Sequence, residues 1–156
     1  MYSYRPKELR RAYGFEEVAL VPGEVTINPD LTNTEFTLDG LSLHIPVLAS
    51  AMDGVVDPDF AILFNKLGGL AVLNLEGIQT RYENPEEILS EIAEVPDEAA
   101  TVFLQKVYSA PIKETLIGER IKAIQEGGAL CAVSVTPQNT KRFAPLAQEA
   151  GMDVFV

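Results

Sequence analysis

Residues 46–76 read PVLASAMDGVVDPDFAILFNKLGGLAVLNLE, and the order of elements in this stretch decides the fold. VLAS is an apolar run of strand length. Asp57 suits the N-cap of a helix and Pro58 its first position, and Phe60, Ala61, Phe64 and Leu67 then fall on one helical face before Gly68 and Gly69 end it. LAVLNL, residues 70–75, is again continuously apolar, as expected of a strand covered on both faces of a parallel sheet. The unit is strand, helix, strand.

The pattern continues outward. Asn84 and Pro85 repeat the cap-plus-proline signal ahead of EEILSEIAEV, and Ile112, Leu116, Ile117, Ile121 and Ile124 recur near helical spacing before Gly127 and Gly128. ALCAVSV, residues 129–135, reads as a third buried strand. Residues 141–150 read as a third crossover helix stopped by Gly151, and MDVFV, residues 152–156, as a fourth strand. Strands alternating with crossover helices predict a parallel sheet, either open and doubly wound or closed into a barrel. The chain stops inside its fourth strand, so it is expected to be the front part of a longer protein; four strands are half of a (β/α)8 TIM barrel. The segment before Pro46 differs. FEEVALVPG predicts a short strand ending in a turn, and FTLDGLSLHIP a hairpin with Asp39 and Gly40 at its tip, an antiparallel preface to the N-terminal end of the barrel. The expected organisation is an N-terminal extension and hairpin over residues 1–45, followed by the first half of the α/β barrel over residues 46–156.

Composition narrows the function classes. A net charge of -11 argues against nucleic acid or an anionic membrane as a partner, because either recruits clustered Lys and Arg. The single cysteine, Cys131, excludes a disulfide framework or a Cys-cluster metal site within these residues, and makes a reducing, cytoplasmic setting the expectation. One histidine, His44, cannot build a His-based metal triad. MYSYRPKELRRAYGF has no apolar run that could serve as a signal peptide, and no stretch approaches the length needed to cross a bilayer.

The polar residues gather in one place. On these strand assignments Ser50, Met52 and Asp53 follow the first strand, Asn74 and Glu76 end the second, and Ser134, Thr136 and Gln138 end the third. All are at carboxyl ends, where parallel α/β architectures bind ligands because loops and helix N-termini converge there. Such side chains can hydrogen-bond a ribose, a phosphate or a base edge, and Met52 offers an adaptable apolar surface for a planar ring. Each also has a purely structural alternative. Ser50 can satisfy nearby backbone, Asp53 can cap a turn, Met52 can fill core, and Asn74, an amide in an apolar run, needs a partner that a structural hydrogen bond would supply. Cys131, mid-strand among apolar neighbours, reads as packing rather than as a nucleophile, and His44 as structural. Residues 83–94 read as a solvated acidic helix face, and Arg81 and Tyr82 as loop residues that could contact a ligand or subunit, although loop residues of that kind usually do neither.

GFEEVALVPG, IPVLASAMDGVVDPDFAILFNKLGGLAVLNLEG and AVSVTPQNTKRFAPLAQEAGMDVFV together resemble the IMP dehydrogenase / GMP reductase family, most closely its cyanobacterial and actinobacterial branch, over nearly the whole chain. The resemblance implies a (β/α)8 barrel that assembles as a homotetramer and binds a purine nucleotide, IMP or GMP, at its C-terminal face with a nicotinamide cofactor, NAD or alternatively NADP, stacked on the purine. Ser50 and Met52 match the family's nucleotide-contacting positions, Asp53 completes that motif, and Asn74 matches the polar position after the second strand. Ser134, Thr136 and Pro137 match the edge of the cofactor site, with Pro137 standing where many relatives have histidine.

Two departures follow from the same resemblance. Typical members insert a pair of CBS regulatory modules where residues 76–128 hold two helical patterns and a short joint, which leaves no room for them. The family's catalytic cysteine, its monovalent-cation (K+) site, its phosphate-binding glycines and its flap belong to the second half of the barrel, so no catalytic residue is expected among these 156, and Cys131 is not that cysteine. The implied activity is NAD-dependent oxidation of IMP to XMP through a covalent cysteine adduct. The alternatives are NADPH-dependent GMP reduction, a non-catalytic fragment of such an enzyme, or another nucleotide- or flavin-binding barrel.

Overall fold

The computed structural model describes residues 10–156, so the first nine residues of MYSYRPKELRRAYGF lie outside the described residues. The chain divides into two compact units, one ending at Asn33 and one spanning Thr34–Val156.

In the first unit the expected strand over FEEVALVPG is replaced by a single 3-10 turn, Phe15–Glu17. The Glu17 carboxylate accepts from the Gly14 N–H at 3.0 Å while the Glu17 N–H donates to the Gly14 carbonyl at 3.0 Å, which closes the turn. Beyond it Leu20 and Val21 are exposed and no described strand pairs with them. A β-propensity run without a partner ladder has nowhere to send its backbone hydrogen bonds except water. A second 3-10 turn, Pro29–Leu31, is capped by Asn28, whose side chain accepts from the Asp30 N–H.

The second unit opens with the expected hairpin: β1, Phe36–Leu38, pairs antiparallel with β2, Leu41–Leu43. Asp39 at φ 48° and Gly40 at φ 88° give the two left-handed positions that a two-residue hairpin turn requires. Four parallel strands follow, β3 (Leu48–Ala49), β4 (Leu70–Asn74), β5 (Ala132–Ser134) and β6 (Val154–Phe155), side by side in chain order. They are shorter than the apolar runs that announced them, because the flanking residues turn into and out of the crossover helices. A four-stranded parallel sheet in this order is the first half of the expected (β/α)8 barrel.

The first crossover helix, α1 (Pro58–Lys66), forms as read: Asp57 Oδ1 accepts from the Phe60 N–H at 2.7 Å and Pro58 occupies the first turn. Ala61 is buried against the sheet, whereas Leu67, expected on that face, is the exposed C-cap. Gly68 at φ 99° lies against the exposed His44, whose Cβ would meet a Gly68 side chain at 2.7 Å, and the Ile45 N–H donates to the Gly68 carbonyl.

Three helices, not two, occupy the interval before β5: α2 (Pro85–Glu94), α3 (Asp97–Ser109) and α4 (Glu114–Glu126). The stretch read as a short joint is therefore a helix of 13 residues. It gives little apolar signal because only Val107 is buried along it while Val102 and Leu104 are exposed. Asn84 precedes Pro85 as expected, yet its side chain makes no capping bond. By contrast α4 buries Leu116, Ile117, Ile121 and Ile124, the stripe visible in the sequence. The last crossover, α5 (Thr140–Glu149), buries Phe143 and Ala147.

The two faces of the sheet separate by alternation. Ala71, Leu73, Leu75, Cys131 and Val133 join Ile117, Ile121, Ile124 and Phe143 in the core under the helices. Leu70, Val72 and Ala132 form a second cluster with Leu43 of the hairpin, and Leu41 and Val154 pack against it, so the hairpin covers the inner face near the amino ends of the strands. This leaves the carboxyl ends of the inner face to polar residues.

Candidate functional site

Along β4 the residues alternating with the helix-side core are Leu70, Val72 and Asn74, and along β5 they are Ala132 and Ser134. Asn74 and Ser134 are direct partners in the parallel register, so the inner face changes from apolar to polar in one step at the carboxyl rim. Both are half-buried.

The segment after β3 is a compact turn. The Met52 N–H donates to the Ser50 carbonyl at 2.8 Å, and the Val55 and Val56 N–H groups both donate to the Met52 carbonyl at 2.9 Å. Val56, at 1% exposed, anchors the turn in the core and leaves Ser50 and Met52 at the surface, Met52 at 57% exposed. A hydroxyl and a thioether thus stand open beside the rim.

Asp53 has a different role from its neighbours. Its Oδ1 accepts from Asn74 Nδ2 at 3.3 Å, and its Oδ2 accepts from the Ile78 N–H at 3.1 Å and from the Tyr108 hydroxyl at 2.5 Å. The carboxylate lies so close to the buried Gly77 that a Cβ there would meet Oδ1 at 1.8 Å. Asp53 and Asn74, both expected to contact a ligand, are therefore brought into direct contact with each other. Asn74 Oδ1 is occupied as well, accepting from the Glu76 N–H at 3.0 Å.

Glu76 carries the network to β5. Its carboxylate accepts from the Thr136 N–H, from Thr136 Oγ1 at 3.2 Å and from Asn139 Nδ2. Partial burial pushes the carboxyl up, but the Thr136 N–H, Asn139 and Thr136 hydroxyl bonds, with the Arg81 guanidinium nearby, outweigh it and hold the group below the ordinary carboxylate range. Of the residues expected at the cofactor edge, Ser134 is half-buried beside Asn74, Thr136 is exposed and tied to Glu76, and Pro137 is exposed together with Gln138.

Three further residues shape the site. Arg81 donates from Nε to the Glu76 carbonyl at 3.1 Å and from Nη1 to the Ala110 carbonyl, with its guanidinium 5.9 Å from the centre of the Tyr108 ring. Tyr108 has its hydroxyl pushed up to about 12 by burial and by its bond to the Asp53 carboxylate, so it keeps its proton and donates a hydrogen bond to Asp53 throughout the neutral range. Asn139 donates a hydrogen bond from Nδ2 to the Glu76 carboxylate. Tyr108 gave no signal because its partner is 55 residues away and its helix was not read. Glu76 was visible by position at a strand end.

Cys131 is fully buried beside Asp153, whose Oδ2 accepts from the Cys131 N–H at 2.8 Å. Burial and that carboxylate push its thiol up to about 12, which removes it as a nucleophile. Hollows of about 350 Å³ beside Asp57 and Arg120 and about 530 Å³ between Leu41 and Phe155 lie apart from Ser50 and Thr136. Among the described residues no group of His, Cys, Asp and Glu converges as a metal site, and no helix is long and apolar enough to cross a membrane.

Comparison with known proteins gives this geometry a context. Residues 12–156 match the model of the IMP dehydrogenase / GMP reductase domain. A Mycolicibacterium smegmatis protein named as an uncharacterized oxidoreductase is 38% identical over 152 residues, covering 94% of this chain and 40% of its own length. The inosine-5'-monophosphate dehydrogenase of Methanocaldococcus jannaschii is 32% identical over 118 residues, covering 76% of this chain and 22% of its own. The crystal structure of an IMP dehydrogenase/GMP reductase-like protein from Corynebacterium glutamicum superposes with a TM-score of 0.85 at 31% identity, over 96% of this chain and 41% of that one. The chain thus spans about two-fifths of the mycobacterial relative and of this solved structure.

Proposed function

Because the chain belongs to the IMP dehydrogenase / GMP reductase family, we propose that the full-length protein is a purine nucleotide oxidoreductase that oxidises IMP to XMP with NAD. The observation that carries this reading is the convergence of Ser50, Met52, Asn74, Ser134 and Thr136 on the carboxyl rim of three adjacent parallel strands. In such folds the ligand lies across this rim.

In this reading the Ser50 hydroxyl hydrogen-bonds the nucleotide and the exposed Met52 thioether lies against the purine face. Asp53 and Asn74 act from below, fixing the turn that carries both. Ser134, Thr136 and Pro137 form the cofactor edge. Two hydroxyls beside the exposed proline ring fit a nicotinamide, with hydrogen-bonding groups for the carboxamide and an apolar surface for the ring. When bound, the nicotinamide supplies the hydride acceptor. The chemistry at C2 of the purine requires a thiolate, and Cys131 is buried and protonated, so the nucleophile belongs to another part of the full-length protein.

The test is an assay of the full-length protein with IMP plus NAD and, separately, with GMP plus NADPH. NADH and XMP formation is the expected result. Oxidation of NADPH with GMP, and no reaction with IMP, would assign the reductase direction instead.

A further inference from the structure

Two of the three donors to the Asp53 carboxylate, Asn74 Nδ2 and the Ile78 N–H, come from β4 and the turn after it. The third, the Tyr108 hydroxyl, arrives from the end of α3. We propose that Tyr108 is a positioning residue for the nucleotide site: by holding the Asp53 carboxylate it fixes the turn over residues 50–56, and so couples the helical pair α2–α3 to the placement of Ser50 and Met52. The inference rests on the proposed purine-nucleotide site.

Both ends of this link are restrained. Asp53 is pressed against Gly77, and the same turn is pinned in the core by Val56. The backbone under Tyr108 is equally held: Val107 is buried, and its carbonyl accepts from the Tyr82 hydroxyl at 2.9 Å. Arg81 faces the Tyr108 ring and bonds the carbonyls of Glu76 and Ala110, bridging the end of β4 to the end of α3. Elsewhere along the pair Ile88, Leu89, Ile92 and Phe103 are half-buried, and Val107 is the one fully buried residue of α2 and α3. A displacement of α3 would reach the Asp53 turn through the Tyr108 hydroxyl and the segment after β4 through Arg81 and Tyr82. Tyr108 is 40% exposed, so its hydroxyl bond contributes little to core packing and can be removed without a buried cavity.

The experiment compares full-length wild type, Tyr108→Phe, Asp53→Ala and the double variant by amide hydrogen exchange and by IMP kinetics. Tyr108→Phe is expected to speed exchange over residues 50–56 about tenfold with β4 unchanged, the effect of losing one hydrogen bond to a charged group. It is expected to raise the KM for IMP about tenfold with kcat changed less than about twofold. In the Asp53→Ala background, where no side-chain acceptor is left for the hydroxyl, Tyr108→Phe should add nothing further. Unchanged exchange over residues 50–56, or independent additive effects in the double variant, would overturn the proposal. If the wild type fails to turn over any purine nucleotide, the functional reading falls, while the exchange data still decide whether Tyr108 holds the turn.

Discussion

The Glu76 carboxylate accepts a hydrogen bond from Thr136 Oγ1 at 3.2 Å as well as one from the Thr136 N–H, which ties the end of β4 to the end of β5 across the rim of the site. The bonds favour the charged carboxylate and lower its pKa in the folded state. A carboxyl with a depressed folded pKa stabilises the fold above its unfolded value, about 4.3, and that contribution is lost as the pH falls through the folded value. Glu76→Gln should therefore melt below wild type at pH 7, and the two should converge as the pH drops below about 4. Thermal melts across that range check it; a gap that widens in acid would contradict it.

Gly77 faces the same carboxylate network from the other side. A side chain there would collide with Asp53 Oδ1 at 1.8 Å, so Gly77→Ala must displace the carboxylate. The expected destabilisation is about 1–3 kcal/mol, typical of overpacking, measured by denaturant unfolding of the full-length protein. Nucleotide affinity should fall with it, because the displaced Asp53 releases the turn that carries Ser50.

The capping bond that the Phe60 N–H donates to the Asp57 carboxylate gives a control outside the Asp53 and Glu76 networks. Asp57→Ala should cost about 1 kcal/mol of stability, the usual worth of an N-cap. Asp57→Ser should recover most of it.

Cys131 gives a chemical readout. With its thiol buried and pushed up to about 12, it should resist thiol reagents in the native protein at pH 8 and react on unfolding. Cys131→Ala should retain turnover, whereas Cys131→Ser should lose about 1–3 kcal/mol by burying a hydroxyl. Peptide mapping distinguishes Cys131 from any other cysteine of the full-length protein.

What was legible in the sequence depended on range. Residues 46–76 were readable because each signal is local: the Asp57 cap, Pro58 in the first turn, the left-handed Gly68 and the unbroken apolar run of β4. Asp39 and Gly40 gave the hairpin for the same reason. The α3 helix was missed because its exposed Val102 and Leu104 make no stripe, and FEEVALVPG was misread because strand propensity counts only where a partner strand exists. Alternation and strand ends placed Asn74, Ser134 and Thr136 at the carboxyl rim. Alternation could not reveal that Asp53 and Asn74 bond each other, nor that Glu76 and Tyr108 complete the network, since those contacts span 21 to 63 residues of sequence.

The most direct measurement is a calorimetric titration of IMP into the full-length protein and its Ser50→Ala variant. The account predicts saturable binding by the wild type and about tenfold weaker binding by the variant, the loss of one good hydrogen bond, with the two melting at the same temperature. Equal affinity of the two proteins for IMP would contradict it.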